Sequence, residues 1–285
     1  MQFIKNMAKG TVIGIANIIH GVSGGTMAVT MGIYDKLIFC LTHLFKEFKK
    51  RVKFLIPILL GAAVALVAGS FGIEFLFRKF PVPTNLFFIG LILGGLPMMT
   101  KKVKGQKIKV GHMISLIAFF ALVVVMGLMG DKEGRAVDLS LNFLNVIILF
   151  LVGVIASATM VIPGVSGSMV LLLLGFYNPI IAQINDFIRS LTSGDFAGVL
   201  KGCGILVPFG IGVVIGIFAI AKLIEIIFEK FPLYANWAII GLIVASPFAI
   251  IFNNLASFSG VTVLTVVSSV ITFAVGFFVA LKLGE

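Results

Sequence analysis

Charge is scarce in this sequence: only 12% of its 285 residues are Asp, Glu, Lys or Arg, where a soluble domain carries about 25%. Cysteine is nearly absent. Cys40 and Cys203 are too few for a disulfide scaffold or a zinc cage. Three histidines, His20, His43 and His112, leave little for a haem or multi-metal site, so no metal or cofactor is expected. No G-x-x-x-x-G-K-S/T loop is found, which argues against direct ATP drive. What is plentiful is apolar: 60% of residues are hydrophobic and the mean hydropathy is +1.19. That excludes a soluble enzyme, and it excludes disorder, which needs low hydrophobicity. The expectation is an all-α polytopic membrane protein.

Acid is scarcer than base, 11 residues against 22, for a net charge of +11. In a soluble domain this would suggest nucleic acid. In a membrane protein cytoplasmic loops collect Lys and Arg, and no nucleic-acid partner is expected. The N-terminal MQFIKNMAKG has no long apolar core before a small-residue cleavage site, so no removable signal peptide is expected.

A helix needs about 20 apolar residues to cross the hydrocarbon core. The apolar stretches are 10–45, 54–77, 85–99, 111–130, 142–185, 203–228, 236–252 and 262–283. Stretches 10–45 and 142–185 are long enough for two segments each, and a Gly-Ser cluster interrupts both. Such a break survives at membrane depth only inside protein or beside a wet cavity. Basic residues cluster at Lys5 and Lys9, at Lys46–Lys53, and at Lys101–Lys109. If all three clusters are cytoplasmic, 10–45 must enter and leave on one side, as a re-entrant hairpin.

The chain also repeats itself. Gly21-Val22-Ser23-Gly24, Gly32 and Tyr34 recur 143 residues on as Gly164-Val165-Ser166-Gly167, Gly175 and Tyr177. Beyond Ser190–Gly198, read as a polar loop, the offset becomes 151. There Pro57, Gly61, Glu74, Lys79-Phe80-Pro81, Asn85 and Gly90 match Pro208, Gly212, Glu225, Lys230-Phe231-Pro232, Asn236 and Gly241. Each half reads as one re-entrant helix hairpin plus three transmembrane helices: residues 1–138 (10–45, 54–77, 85–99, 111–130) and 139–285 (142–185, 203–228, 236–252, 262–283). An odd number of crossings inverts the second half. Inverted-topology repeats with broken helices characterise many secondary transporters, whose sites lie near the midplane where the repeats meet.

The interrupting segments, His20–Thr26 and Pro163–Met169, are the candidate site. Glycine lets backbone N–H groups approach a ligand closely. Ser23 and Thr26, or Ser166 and Ser168, have the chemistry to cap the following helix, whose N-terminus would attract an anion. The candidate binding residues are Gly21, Ser23, Gly24, Gly25, Thr26, Gly164, Ser166, Gly167 and Ser168. Two other readings stay open: a small-residue helix-packing seam, and a sodium site built from unwound carbonyls.

These motifs resemble the PopT-type polyprenyl-phosphate (undecaprenyl-phosphate) translocases, formerly a domain-of-unknown-function membrane family. The first resembles that family's Pro-Gly-Val-Ser-Gly-Gly-Thr loop and Gly-Ile-Tyr, here Gly21–Thr26 and Gly32-Ile33-Tyr34. The second resembles its Pro-Gly-Val/Ile-Ser-Gly-Ser loop, Leu run and Gly-x-Tyr, here Pro163–Ser168, Leu171–Leu174 and Gly175-Phe176-Tyr177. The chain departs from the pattern at Asn17 and His20, where the family carries Asp and Pro. The resemblance covers essentially the whole chain. It implies a transporter that returns the polyprenyl phosphate carrier from the outer to the cytoplasmic leaflet for cell-envelope synthesis. It also implies a multi-pass protein of the bacterial cytoplasmic membrane, and the charge pattern puts both termini in the cytoplasm. Its partners would be that lipid and the surrounding membrane lipids.

Glu74 and Glu225 are an acidic pair at repeat-equivalent positions. With His20 they are candidates for coupling or gating, because ionisable groups within membranes are functional by default. The plainer alternative pairs them with Arg78 and Lys222, one turn away on the same helices. Asn85 and Asn236 begin equivalent spans, which favours helix capping over the alternative of ligand contact. A transporter of a small soluble anion, or an ion exchanger, is the competing function on the same scaffold. A lipid phosphatase would need a nucleophile, base and cations together. The loops have hydroxyls but no adjacent Lys or Arg, so no catalytic residues are assigned.

Overall fold

The computed structural model describes residues 2–18, 22–66, 70–129, 137, 139–258 and 261–284. The described residues form helices and no strand. In chain order these are α1 (Gln2–Ile18), α2 (Gly24–Thr30), α3 (Tyr34–Thr42), α4 (Phe48–Val64), α5 (Ser70–Lys79), α6 (Pro81–Gly94) and α7 (Leu96–Val103). They continue as α8 (Val110–Met129), α9 (Phe143–Val161), α10 (Gly167–Leu173), α11 (Tyr177–Ser193), α12 (Phe196–Lys230), α13 (Pro232–Asn253) and α14 (Val263–Gly284). Among the described residues six runs are long and apolar enough to cross a bilayer: α6 with α7, then α8, α9, α12, α13 and α14.

Two compact units divide the chain. The first comprises Met1–Gly130, Ile162–Val165 and Ala221–Glu285, and the second Asp131–Val161 and Ser166–Ile220. In the first, α1 packs along α4, α6 along α14, and α8 along α13. Lipid tails are as apolar as leucine, so helices in a membrane associate through close packing and small residues rather than a hydrophobic drive. Glycines supply that closeness here. A methyl group on Gly61 would sit 2.1 Å from the Met7 carbonyl oxygen, one on Gly90 2.1 Å from that of Phe273, and one on Gly241 2.3 Å from that of Leu116. In the second unit a methyl on Gly212 would sit 2.1 Å from the Phe150 oxygen. The duplicated pairs Gly61/Gly212 and Gly90/Gly241 thus mark helix crossings. Val123, Leu242, Ala245 and Ala249 form one buried cluster of the first unit. Leu149, Val152, Phe176, Ile180 and Ile205 form one in the second.

Other duplicated positions share a backbone shape. Phe80 (φ −135°, ψ 56°) and Phe231 (φ −133°, ψ 53°) precede Pro81 and Pro232, which open α6 and α13. Proline suits a first helical turn, where its missing N–H would have had no partner.

The helix boundaries depart from the apolar stretches in several places. Stretch 54–77 divides into α4 and α5, and 85–99 divides at Gly95 into α6 and α7. Stretch 203–228 lies inside a longer helix, α12, of 35 residues. The polar loop expected at Ser190–Gly198 shrinks to Gly194 and Asp195, because α11 runs to Ser193 and Gly194 ends it in the left-handed region at φ 75°. Polarity misled there: α11 is amphipathic, and its polar residues occupy one face of a helix rather than a loop. Stretch 142–185 holds α9, α10 and α11, with α10 and α11 meeting at 106°.

Candidate functional site

Both Gly-Ser segments turn the chain into a short helix in the same way. Ser23 (φ −103°, ψ 132°) precedes α2 and Ser166 (φ −94°, ψ 123°) precedes α10. These are N-cap positions, as the sequence led us to expect, yet neither serine side chain makes the capping hydrogen bond. Each helix has seven residues, so its macrodipole is smaller than the full helix value. Whatever polarity the segments offer comes from hydroxyls and individual N–H groups. Every residue of α2 is buried, Gly24, Gly25 and Thr26 included.

Residues of the two motifs meet inside the first unit. The Gly164 N–H donates to Thr26 Oγ1 at 2.7 Å, across 138 positions of sequence. Thr26 is 1% exposed. Gly164 has φ 79°, a conformation that favours glycine, and a methyl there would meet Leu242 at 3.1 Å. Asn17 of α1 lies against Gly24: a methyl on Gly24 would fall 2.7 Å from Asn17 Oδ1. In the second unit the Ser166 and Ser168 hydroxyls lie 3.0 Å apart, and Gly167 packs on Thr159 and Met160 of α9. Gly21 and His20 lie outside the described residues.

The duplicated acids have different surroundings. Glu74 is 67% exposed and pairs with Arg78 at 3.8 Å. Glu225 is buried. It pairs with Lys222, accepts from Thr42 Oγ1 at 3.0 Å, and lies 3.1 Å from His43 Nδ1. His43 and Thr42 were missed by sequence reasoning. Neither belongs to a repeated motif, and the contact spans 183 positions, so only the fold reveals it. Lys9, expected in a cytoplasmic cluster, is 7% exposed and donates to the Met31 carbonyl at 2.7 Å. It thereby satisfies one of the carbonyls left free at the C-terminal end of α2.

Asn85 and Asn236 do not cap. Phe80 and Phe231 hold the N-cap positions, which puts both asparagines inside their helices. Asn85 is fully buried with neither side-chain polar atom bonded, and Asn236 Oδ1 is also unpartnered. An unmet buried polar group costs about 1–3 kcal/mol, and native structures hold few of them. The clue in the sequence was the duplication of these two positions. Tyr34 is buried and packs on Phe228 with ring centroids 6.3 Å apart.

Residues 13–265 match the sequence profile of the undecaprenyl phosphate translocase-like family. The chain belongs to that family. It is 33% identical over 293 residues to the polyprenyl-phosphate transporter of Staphylococcus aureus, covering 100% of this chain and 98% of the relative. It is 30% identical over 203 residues to the polyprenyl-phosphate transporter of Vibrio cholerae, covering 66% of this chain and 62% of that one. No solved structure matches significantly. The family resemblance read from the paired motifs is therefore correct, and with its long apolar helices the chain is a multi-pass membrane protein.

Proposed function

We propose that this protein carries polyprenyl (undecaprenyl) phosphate from the outer to the cytoplasmic leaflet of the bacterial cytoplasmic membrane, acting as a transporter and not as an enzyme. The family match and the names of both relatives support the substrate. An anionic phosphate is costly to move through hydrocarbon unless polar partners replace water, whereas an isoprenoid tail can stay in lipid. The headgroup partners are assigned to the two Gly-Ser loops: Gly21, Ser23, Gly24, Gly25 and Thr26 from the first, and Gly164, Ser166, Gly167 and Ser168 from the second. The observation that carries this assignment is the 2.7 Å hydrogen bond from Gly164 N–H to Thr26 Oγ1. It joins one member of each motif, with the Thr26 end buried.

The same reading takes residues 1–138 and 139–285 as inverted repeats. Each supplies a re-entrant hairpin (10–45 and 142–185) and three spans, with both termini cytoplasmic. Glu225 is the favoured coupling or gating group among Glu74, Glu225 and His20, because it is buried and shares contacts with His43 and Lys222. The test is leaflet exchange of labelled polyprenyl phosphate in liposomes containing the purified protein. Exchange by the wild type, and its loss in the Ser23→Ala/Ser166→Ala double variant, is the expected result. Full exchange by the double variant would remove the loops from the account.

A further inference from the structure

We infer that the apolar cavity bounded by α1, α5, α6 and α14 receives the isoprenoid chain of the substrate, so that the protein holds the lipid by its tail as well as by its headgroup. The inference rests on the proposed substrate but concerns a different part of the molecule. The cavity has a volume of about 880 Å³, near the upper end of ligand pockets at roughly 300–1,000 Å³. Val12 and Ile15 of α1, Leu76 of α5, Phe87 and Leu91 of α6, and Leu264 of α14 form its walls.

The lining also carries five hydroxyls, on Thr84, Ser257, Thr265, Ser268 and Thr272, and four of them are already engaged. Thr84 Oγ1 donates to the Phe80 carbonyl at 2.6 Å, Thr272 Oγ1 to that of Pro83 at 2.7 Å, and Ser268 Oγ to that of Thr265 at 3.0 Å. The Thr265 and Thr262 hydroxyls lie 2.9 Å apart. What those side chains turn towards an occupant is mainly carbon. A soluble anion gains nothing in such a space, while an apolar chain gains about 25 cal/mol for each Å² it buries.

Among the described residues the one charged member of the lining is Lys79, which is exposed. A long apolar guest matches a lining of that kind. Two of its walls, α1 and α6, also touch α2 beyond the cavity. Two residues beyond Ile15, α1 places Asn17 against Gly24. Beyond Leu91, the α6–α7 junction at Gly95 packs on Thr30 of α2, where an added methyl would lie 2.3 Å from the threonine Cβ. A tail in the cavity thus lies along the same two helices that pack on α2, the helix that follows the first loop. A polyprenyl chain has a double bond in each isoprene unit, so it has fewer free rotors to immobilise than a saturated acyl chain, and ordering rotors opposes binding.

The experiment uses the full-length protein in phosphatidylglycerol nanodiscs, with polyprenyl phosphate carrying a diazirine in its chain. Crosslinks are mapped by mass spectrometry, with unlabelled polyprenol (which lacks the phosphate) or added phosphatidylglycerol as competitor. The expected result is labelling on α6 and α14, displaced by polyprenol and not by phosphatidylglycerol. Leu264→Trp and Thr265→Trp, which fill the cavity, should each reduce labelling about tenfold, the equivalent of one lost methylene contact or two. Leu264 is 79% exposed, so tryptophan there leaves the core intact, and an unchanged melting temperature verifies the fold. Labelling spread evenly over lipid-facing helices, equal displacement by phosphatidylglycerol, or full labelling of folded tryptophan variants would each overturn the inference. The tail and headgroup assignments fail separately. Tryptophan variants that lose labelling, beside loop variants that exchange normally, would sink the headgroup site alone. The reverse pattern would sink the tail site alone.

Discussion

Replacing Thr26 with valine is the sharpest perturbation of the contact between the two motifs. Valine keeps the shape and removes the oxygen that accepts the Gly164 N–H at 2.7 Å. Thr26 is 1% exposed, and the bond as a whole is part-buried. A fully buried donor left without an acceptor costs about 1–3 kcal/mol, which sets the upper range for this part-buried one. At about 1.4 kcal/mol per factor of ten, local opening around Gly164 should become roughly 5- to 150-fold more populated. Hydrogen–deuterium exchange on the protein in nanodiscs reads this directly, as faster exchange in peptides covering Gly164–Ser168. Thr26→Ser restores an acceptor at the same place and should return exchange close to wild type. If Thr26→Val exchanges like wild type while the fold is intact, the hydrogen bond does not hold the motifs together and the reasoning is wrong.

Gly90→Ala and Gly241→Ala should each lower the melting temperature in detergent, at a cost of about 1–3 kcal/mol for overpacking, because each methyl would lie at most 2.3 Å from a carbonyl of the neighbouring helix; unchanged melting would mean these crossings are not tight. Asn85→Leu should raise the melting temperature by removing two unmet polar atoms and should lower lipid exchange if the amide contacts substrate; a destabilised variant would show that Asn85 has a partner within the fold. Glu225→Gln and His43→Gln should each flatten the pH dependence of lipid exchange, since the two side chains lie 3.1 Å apart around a buried carboxylate, whereas the exposed Glu74→Gln should leave it unchanged. An unaltered pH profile in both Glu225→Gln and His43→Gln would remove the cluster from coupling.

Composition and the length of apolar runs located the later helices closely. Stretches 111–130, 236–252 and 262–283 correspond to α8, α13 and α14 within a few residues. These are single helices bounded by loops, where hydropathy alone decides. The signal weakened where the chain breaks inside an apolar run. The helix interruption at Gly95 comes just before Pro97 at the start of α7, which has no N–H to continue the α6 ladder, and hydropathy does not register it. The loop motifs were legible because the sequence says them twice, and Ser23 and Ser166 do precede helices with nearly the same backbone angles. The partners of those motifs were not legible. Thr26 and Gly164 are 138 positions apart, and Glu225 and Thr42 are 183 apart. No local pattern encodes contacts of that range, which arise only when the helices pack. The duplication predicted equal roles for Glu74 and Glu225, but packing buries one and leaves the other exposed.

The most direct test of the central claim is to detect the phosphate itself at the Gly-Ser loops. Solid-state NMR on the protein in bilayers with polyprenyl phosphate can measure dephasing between the lipid phosphorus and glycine amide nitrogens. The account predicts short phosphorus–nitrogen distances that disappear in Ser23→Ala/Ser166→Ala. Phosphorus close only to lysine nitrogens, with no glycine amide in range, would contradict it.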